Sequence, residues 1–376
     1  MDILILFEHA GHSQTIDELC KNIELHQLRI SSFNVVTWRL KTKSGINISW
    51  VNLLCVLAVI PGLRGFLTKL FRYKALLKLS SNYTIIDIHF FSPIYDKLIE
   101  ELKNCGKKVK ITIWGSDFYR VDIERRELQR IVYHMVDLIQ IETHQIADDF
   151  LKVYPEYADK IRITRFGNIQ FELIDGILQN GTKEALRKEF NLPNDKIILT
   201  CGTNGSEGHQ HLKILESIEK LSPGIKSRLF LLFPMTYSCK RSYVNQVRQR
   251  AHIVELPFLI LTEFLSLNDI SKLKIVSDIM LTIQTTDALS LSVMEYVYAG
   301  KLLIAGEWLP YQALKDMGIF YLTTSTASLS ETISESVRNF ESMVKRCSGN
   351  SEKISKLSSW NQVTNEWVAI YNEIAE

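Results

Sequence analysis

The chain has 376 residues, of which 46% are hydrophobic and 23% are charged. This length suits two α/β domains better than one, and the composition excludes a disordered chain because it supplies a full core. No stretch approaches the roughly 20 uninterrupted apolar residues needed to span a bilayer. The six cysteines include no CxxC pair, which argues against a zinc site or a disulfide framework and favours a reducing compartment.

The net charge of +2 is unevenly distributed along the chain. Between Glu24 and Asp87 there is no acidic residue, whereas the same stretch holds nine basic ones. These are Arg29, Arg39, Lys41, Lys43, Arg64, Lys69, Arg72, Lys74 and Lys78. Such a local excess of positive charge indicates an anionic partner. The first residues, MDILILFEHAGH, lack a basic n-region and predict a buried strand rather than a signal peptide.

In the first half of the chain, short apolar runs alternate with amphipathic stretches. The runs predict strands at Ile3–Phe7, Asn34–Trp38, Ile85–His89, Val109–Trp114, Leu138–Glu142 and Ile161–Thr164. Helical periodicity lies between several of them, as at Ile94–Asn104 and Gln145–Val153. Strand, helix and strand at this spacing imply right-handed crossovers and a parallel sheet that is covered on both faces.

The alternation loosens after Asn168 and then resumes. Helices are predicted at Lys183–Phe190, His211–Lys220, Arg241–Arg250, Asn268–Val276 and Ser290–Ala299. Strands are predicted at Ile197–Cys201, Arg228–Phe233, Ile253–Leu256, Ile279–Ile283, Leu302–Ala305 and Ile319–Leu322. The pattern therefore predicts two doubly wound α/β domains, residues 1–168 and 169–357, joined near 167–182.

Three loops of the second half follow predicted strands, and open parallel sheets bind ligands at that edge. The first, Gly202–His211, has small residues at Gly202, Thr203 and Asn204 that let backbone amides approach a phosphate. It lacks the spacing of a P-loop, so a plain strand–helix turn is an equal alternative, and its two histidines are too sparse for a metal site. The loop after Pro234 carries Tyr237, which is a candidate contact for a base or a sugar.

The second loop, Gln284–Glu295, runs into a helix whose first turn holds Ser290, Leu291 and Ser292. Such a helix start suits a diphosphate, and Glu295 lies deeper in the helix, where a carboxylate can hold ribose hydroxyls. The structural alternative is that Asp287 or Ser290 simply caps the helix.

The first half offers candidates for a general base at an acceptor hydroxyl. Asp117 follows the predicted strand that ends at Trp114, and His9 follows the first strand. A titratable group at the edge of the sheet can accept a proton there. The alternatives are that Asp117 caps a helix and that Trp114 belongs to the core.

The segment from Val276 to Glu307 resembles the donor-binding segment of GT-B glycosyltransferases, in which a strand leads to an E-x7-E motif and an A-x-G helix end. Here the pair is Asp287 and Glu295, with Asp in place of the first Glu, followed by Ala299 and Gly300. The resemblance implies an α/β GT-B fold, with two Rossmann-like doubly wound domains facing across a cleft. It also makes Asp287 a candidate catalytic residue.

A closer resemblance is to the lipid-intermediate 4-acetamido-4,6-dideoxygalactose (Fuc4NAc) transferases of enterobacterial common antigen synthesis, over most of 85–310. Their W-G-x-D-x-Y element is matched by Trp114, Gly115, Asp117 and Tyr119. Their G-N-S-x-D-x-S-N-x-H loop is matched loosely by 202–211, and their P-x-x-Y and Y-x-x-x-V stretch by Pro234, Tyr237, Tyr243 and Val247. The Arg and Lys phosphate ligands usual in GT-B donor loops are absent from 202–211, which leaves backbone amides and His211 for the diphosphate.

The resemblance implies a transferase that moves a sugar from a nucleoside diphosphate sugar to a polyprenyl-diphosphate-linked saccharide, in O-antigen, capsule or common antigen synthesis. The donor would be held by Gly202, Thr203, Asn204, His211, Tyr237, Ser290, Leu291, Ser292 and Glu295. Neither a cofactor nor a metal is required where amides and helix dipoles carry the diphosphate charge. The helix at about 358–376, with Trp360, Trp367 and Tyr371, resembles the closing helix that GT-B enzymes return to their N-terminal domain.

The segment 49–79 joins the apolar run VNLLCVLAVIPGL to the basic residues Arg64, Lys69, Arg72 and Lys74. The run is too short to span a bilayer, so we expect an amphipathic element that lies on an anionic membrane, at the inner face of the plasma membrane. A buried helix pair with solvated lysines is the alternative. No nucleic-acid-binding module accompanies the charge, so no nucleic acid partner is expected.

Two other functions fit the same fold. A sugar-nucleotide epimerase would have no use for the basic apolar segment. A non-catalytic GT-B subunit would scaffold a polysaccharide-synthesis complex and would neither bind nor turn over a nucleotide sugar.

Overall fold

The computed structural model describes residues 1–8, 13–35, 39–41 and 73–376. The chain divides into two compact units, one formed by Met1–Gly167 with Ser358–Glu376 and the other by Asn168–Leu357. Each unit has its own sheet and its own buried core. Within the described ranges, no helix is both long and apolar enough to cross a membrane.

The sheet of the first unit has seven strands in the order β3-β2-β1-β4-β5-β6-β7. They are β1 (Asp2–Phe7), β2 (Arg29–Asn34), β3 (Arg39–Lys41), β4 (Ile85–His89), β5 (Lys108–Ile113), β6 (Leu138–Ile141) and β7 (Ile161–Ile163). Among the strands that the structure describes, β3 runs antiparallel to β2, and the other pairs are parallel. Strands β1 and β4 are almost wholly buried, as expected of a parallel sheet that is covered on both faces.

The helices of the first unit are Ser13–Glu24, 73–80, Asp96–Asn104, Ser116–Tyr119, Ile123–Met135, His144–Val153 and Trp360–Ala375, with short 3-10 helices at Pro93–Tyr95 and Pro155–Lys160. The local sequence determines where the helices Ile123–Met135 and His144–Val153 begin. The side chains of Asp122 and Thr143 accept hydrogen bonds from the amides three residues later. The last helix packs on this unit although it is remote in sequence. Its Trp367 is fully buried, and the indole N–H donates to the Arg165 carbonyl at 2.8 Å.

A buried polar cluster joins that last helix to the middle of the sheet. The carboxylate of Asp87 accepts a hydrogen bond from the Tyr371 hydroxyl at 2.7 Å and lies 2.8 Å from the Lys110 ammonium. His89 Nε2 lies 3.0 Å from the same carboxylate oxygen, Oδ2, whereas Oδ1 accepts a hydrogen bond from the Thr112 hydroxyl at 2.9 Å. Burial alone would raise the pKa of Asp87, but the charges of His89 and Lys110 hold it well below its usual value.

The sheet of the second unit is wholly parallel, in the order β10-β9-β8-β11-β12-β13. Its strands are β8 (Ile197–Cys201), β9 (Leu229–Pro234), β10 (Phe258–Leu261), β11 (Ile279–Thr282), β12 (Leu302–Gly306) and β13 (Leu322–Thr324). The strand order reverses between β8 and β11. This pair is the topological switch point, where doubly wound sheets bind ligands.

The helices of the second unit are Gln170–Asn180, Lys183–Glu189, His211–Glu219, Pro223–Lys226, Arg241–Ile253, Leu267–Val276, Leu291–Tyr298, Gln312–Asp316, Leu329–Arg338, Phe340–Arg346 and Asn350–Ser358, with a 3-10 helix at Glu207–His209. The last of these helices crosses into the first unit at Ser358. Two of them flank the switch point: Leu267–Val276 packs over Ile198 of β8 and Leu232 of β9, and Leu291–Tyr298 packs over β11 and β12.

Three predicted strands are wrong. Strand β2 covers Arg29–Asn34 instead of Asn34–Trp38, because its buried Ser31 and Ser32 conceal the apolar pattern; 36–38 lie outside the described residues. Ile253 ends a helix, Glu255 has φ +58°, and the strand begins only at Phe258.

The third shifted strand is β13, which covers Leu322–Thr324 instead of Ile319–Leu322. The Ile319 amide donates to the carbonyl of Leu314 and so closes the preceding helix. The helix Gln170–Asn180 was not predicted.

Candidate functional site

The loops that follow β8, β9 and β11 are joined at the carboxyl edge of the second sheet. The Gly205 amide donates to the Tyr237 carbonyl at 2.9 Å, and the Thr285 amide donates to the Gly208 carbonyl at 2.9 Å. Because each loop follows a different strand, these bonds make one continuous backbone surface at the switch point. The structure thus brings together the three loops predicted to bind a ligand.

Gly202 takes a conformation that a side chain would oppose. Its φ is +72°, and an added Cβ would lie 2.8 Å from Nε2 of His211. Only glycine adopts such a backbone angle at little cost. The chain therefore turns sharply as it leaves β8 and passes directly over the imidazole.

His211 begins the helix His211–Glu219 and is fully buried. Its Nδ1 lies 3.3 Å from the Tyr243 hydroxyl. Burial, with the added effect of the His209 charge, lowers the pKa of His211 to about 3. The ring is therefore neutral at physiological pH, and it offers a phosphate a hydrogen bond at most and no positive charge.

The helix Leu291–Tyr298 starts beside Asp287, whose carboxylate accepts a hydrogen bond from the Ser290 amide at 3.1 Å and another from the Tyr311 hydroxyl. Asp287 thus binds the amide of Ser290, the N-cap residue, whose own side chain makes no capping hydrogen bond. In the described part of the chain, the next two amides, those of Leu291 and Ser292, have no acceptor. Two donors at a helix N-terminus remain for an anion.

Glu295 lies one turn deeper and is 3% exposed. Its carboxylate is 3.2 Å from the Asn168 amide nitrogen and 3.4 Å from the Lys274 ammonium. Burial raises the pKa of Glu295, and the Lys274 charge works in the opposite direction. A ribose hydroxyl that reaches Glu295 must therefore share the carboxylate with these two partners.

Lys274 is the buried cation that the sequence analysis missed. Its ammonium donates to the Ser292 hydroxyl and lies 4.1 Å from the centroid of the Tyr296 ring. It places positive charge beside the first turn of the Leu291–Tyr298 helix, although the 202–211 loop has neither Arg nor Lys. One signal was available: Lys274 lies three residues after Ser271 and seven after Leu267, on the buried face of its helix.

Asn168 and Tyr311 were also missed as partners of the candidate residues. Asn168 was read only as the end of the first domain, and Tyr311 follows β12 in a loop with no recognisable motif. Their roles follow from contacts across more than 20 residues of sequence, which periodicity does not reveal.

Tyr237 follows β9 and is 45% exposed. Partial burial raises the pKa of its hydroxyl, and the charges of Glu295 and Asp287 raise it further.

In the first unit, Asp117 is 4% exposed and connects two loops. Its oxygens accept hydrogen bonds from the Phe91 amide at 3.0 Å and from the Trp114 amide at 2.9 Å. Burial raises the pKa of Asp117 to about 6, although these bonds oppose the shift. His9, Arg64, Lys69 and Arg72 lie outside the described residues, whereas Lys74 is exposed on the helix 73–80.

Within 1–8, 13–35, 39–41 and 73–376, no group of three or more His, Cys, Asp or Glu side chains is arranged to hold a metal ion. The positive charge near the helix start in this part of the chain comes from Lys274 and the helix dipole.

No family model matches the chain, and no curated protein matches it. Solved structures match it over almost its whole length. A glycosyltransferase from Rickettsia africae superposes with a TM-score of 0.75 at 15% identity, covering 100% of this chain and 99% of the other. Sucrose-phosphate synthase from Thermosynechococcus elongatus gives 0.73 at 14% identity, with 100% and 99% coverage. HepE from Anabaena, in complex with UDP, gives 0.73 at 12% identity, with 99% and 100% coverage.

At these identities the likeness establishes the fold, and the fold by itself does not assign an activity. The chain has the two-domain α/β GT-B fold. The predicted fold class is confirmed.

Proposed function

We propose that the protein is a glycosyltransferase that takes a sugar from a nucleoside diphosphate sugar. The observation that carries this proposal is the helix start at Leu291, where two amides have no acceptor in the described chain, at the switch point of a GT-B sheet. The dipole of this helix and the nearby Lys274 ammonium favour a diphosphate there. Similar solved structures include HepE in complex with UDP-glucose, which supports a ligand of this class.

The remaining donor contacts are proposed from their places around this helix. The Gly202–Asn204 backbone and the Tyr237 ring lie on the loops that join it, and Glu295 holds the ribose while it stays paired with Lys274. His211 contributes by supporting Gly202 rather than by charge.

In the proposed reaction, the bond between the anomeric carbon and the diphosphate oxygen breaks, and the nucleoside diphosphate leaves with the electron pair. The acceptor hydroxyl oxygen bonds to the anomeric carbon and gives its proton to a base. Asp117, with a pKa of about 6, is the candidate base in the described chain, and His9 is the candidate outside it. The helix amides and Lys274 stabilise the charge that develops on the leaving group.

We further propose that the acceptor is a polyprenyl-diphosphate-linked saccharide at an anionic membrane surface. The acid-free segment between Glu24 and Asp87 supports this, as does the resemblance to the Fuc4NAc transferases. Each Lys or Arg near such a surface contributes about 1 kcal/mol. Flotation with anionic liposomes tests the membrane proposal by comparing the wild type with the triple variant Lys69→Glu, Arg72→Glu and Lys74→Glu. Equal flotation of both proteins overturns the proposal.

The donor proposal is tested with the purified chain and a panel of nucleotide sugars. A ligand present at 100 times its Kd stabilises the fold by about 2.7 kcal/mol, which a thermal shift detects. Product analysis of the bound donor then separates the alternatives: release of nucleoside diphosphate supports transfer or hydrolysis, and an epimeric nucleotide sugar identifies an epimerase. A wild type that binds no member of the panel identifies a scaffold subunit and overturns the proposal.

A further inference from the structure

Trp308 is a large aromatic side chain held in one orientation at the carboxyl edge of the second sheet. It follows β12 and is 41% exposed. Its indole N–H donates to the Gln284 carbonyl at 2.9 Å. A Cβ at Gly306 would lie 2.7 Å from Cζ2 of the indole, so the ring rests directly on the Gly306 backbone. One part of the ring is thus fixed by protein, and the rest is open to a ligand.

The strand order places this ring on one side of the candidate diphosphate position. The helix Leu291–Tyr298 follows β11; the loop of Gly202 follows β8 on one side of β11, and Trp308 follows β12 on the other. The carbonyl that holds the indole, Gln284, belongs to the same loop as Asp287. Trp308 and the start of this helix therefore share one supporting loop.

The position of Glu295 indicates on which side of the helix Leu291–Tyr298 the nucleoside of a donor would lie. It faces Lys274, whose helix packs over β8 and β9, so Glu295 is on the β8 side of the helix Leu291–Tyr298. Tyr237, which follows β9, is on that side as well. A nucleotide sugar carries its nucleoside and its sugar on opposite sides of the diphosphate. With the ribose at Glu295, the sugar is directed towards β12 and Trp308.

We propose that the Trp308 indole is a stacking platform for the transferred sugar of the donor, an inference that rests on the proposed function. An indole offers a wide, rigid, amphipathic face at a low entropy cost, which suits the C–H face of a pyranose ring. Since the ring is already fixed by Gln284 and Gly306, little ordering is needed when the sugar binds.

The experiment measures the affinities of the full chain for UDP, GDP and dTDP and for UDP-glucose, GDP-mannose and dTDP-glucose by calorimetry. The pair that the wild type binds is then titrated into three variants. Trp308→Ala removes the ring, Gly306→Ala displaces it, and Ile253→Ala removes an exposed apolar side chain, 57% accessible, at the end of the helix Arg241–Ile253.

The expected result is an affinity for the nucleotide sugar about tenfold weaker in Trp308→Ala and Gly306→Ala, which corresponds to 1.4 kcal/mol. The affinity for the nucleoside diphosphate should change less than about twofold, and Ile253→Ala should match the wild type for both ligands. Equal losses for both ligands, or no loss for either, overturn the sugar platform and leave the proposed function standing. A wild type that binds none of the six probes overturns the proposed function and this inference together.

Discussion

The ammonium of Lys274 lies 3.4 Å from the carboxylate of Glu295, and each side chain is only 4% exposed. A buried ion pair of this kind costs desolvation free energy, which its Coulomb attraction offsets only while both partners are present. The pair lies between the helices Leu267–Val276 and Leu291–Tyr298, beside the candidate diphosphate position. A substitution in the Lys274–Glu295 pair should therefore change both the stability of the second unit and the charge beside the candidate diphosphate position.

Removing one charge of the pair should lower the free energy of unfolding more than removing both charges. Glu295→Gln keeps an acceptor for Asn168 but leaves the Lys274 charge unpaired, so we expect a loss of about 3 kcal/mol in the free energy of unfolding. Lys274→Met should cost a similar amount, and the double variant should recover at least half of the summed losses. Urea denaturation of the four proteins completes the cycle. Strictly additive losses would show that the two charges do not interact.

The same double variant separates folding from binding. It should unfold cooperatively and be more stable than the two single losses together would allow, yet it lacks both the carboxylate for ribose and the cation near the diphosphate. We expect its affinity for the donor to fall by more than tenfold, measured by calorimetry on the nucleotide sugar that binds the wild type. Wild-type affinity in a folded double variant would remove these two residues from the donor site.

A methyl group at Gly202 should disturb the loop after β8. The positive φ costs an alanine about 1–2 kcal/mol, and the contact with His211 adds to it, so Gly202→Ala should lower the free energy of unfolding by about 2 kcal/mol and weaken donor binding. Gly176→Ala is the matched control. This glycine lies within the helix Gln170–Asn180 with open space around its added Cβ, so the change should stabilise the protein by about 0.5–1 kcal/mol. Similar effects at both positions would contradict the prediction.

The hydroxyl of Tyr371 should matter more than that of Tyr298, although each donates to a carboxylate. Tyr371 reaches the fully buried Asp87 at 2.7 Å, whereas Tyr298 reaches Asp175 at an exposed site at 2.6 Å. Tyr371→Phe should cost about 1.5–3 kcal/mol because it removes a donor from a buried charge. Tyr298→Phe should cost less than about 0.5 kcal/mol. Thermal and urea unfolding compare the two, and equal losses would show that the buried cluster does not hold the C-terminal helix.

The pKa of Asp117, raised to about 6, gives a stability effect with a definite sign. Between about pH 4 and pH 6 the folded protein keeps a proton on this carboxyl that the unfolded chain has lost, so the contribution of Asp117 to stability falls as the pH rises. The side chain of Asp117→Asn does not ionise, so its contribution to stability does not change with pH. The variant also loses an acceptor for one of the two amides, at a cost of about 1–3 kcal/mol. The stability difference between wild type and variant should therefore shrink from pH 4 to pH 6 in urea titrations. A constant difference would show that the carboxyl ionises at its ordinary pKa, and a growing one that folding lowers this pKa; either result contradicts the prediction.

The doubly wound α/β class was predictable because most strands are short, largely apolar runs separated by amphipathic helices, a pattern that the sequence shows directly. The GT-B fold was expected from the resemblance of Val276–Glu307 to a donor-binding segment, because periodicity does not distinguish among doubly wound folds. Strand β8, Ile197–Cys201, is fully buried and was predicted with its observed bounds. Strand β2 was misplaced because Ser31 and Ser32 are buried there through contacts that local sequence does not encode.

The sequence alone also predicted that the loops at Gly202, Tyr237 and Asp287 are candidate ligand loops, since they follow apolar strands and carry small or polar residues. It did not reveal that Asp287 is held by Tyr311, that Glu295 is paired with Lys274, or that the Trp308 ring rests on Gly306. Periodicity records which face of an element is buried, whereas these contacts join side chains from different elements. Burial and partner atoms set the charge and orientation of a side chain, and only the tertiary structure brings those partners together.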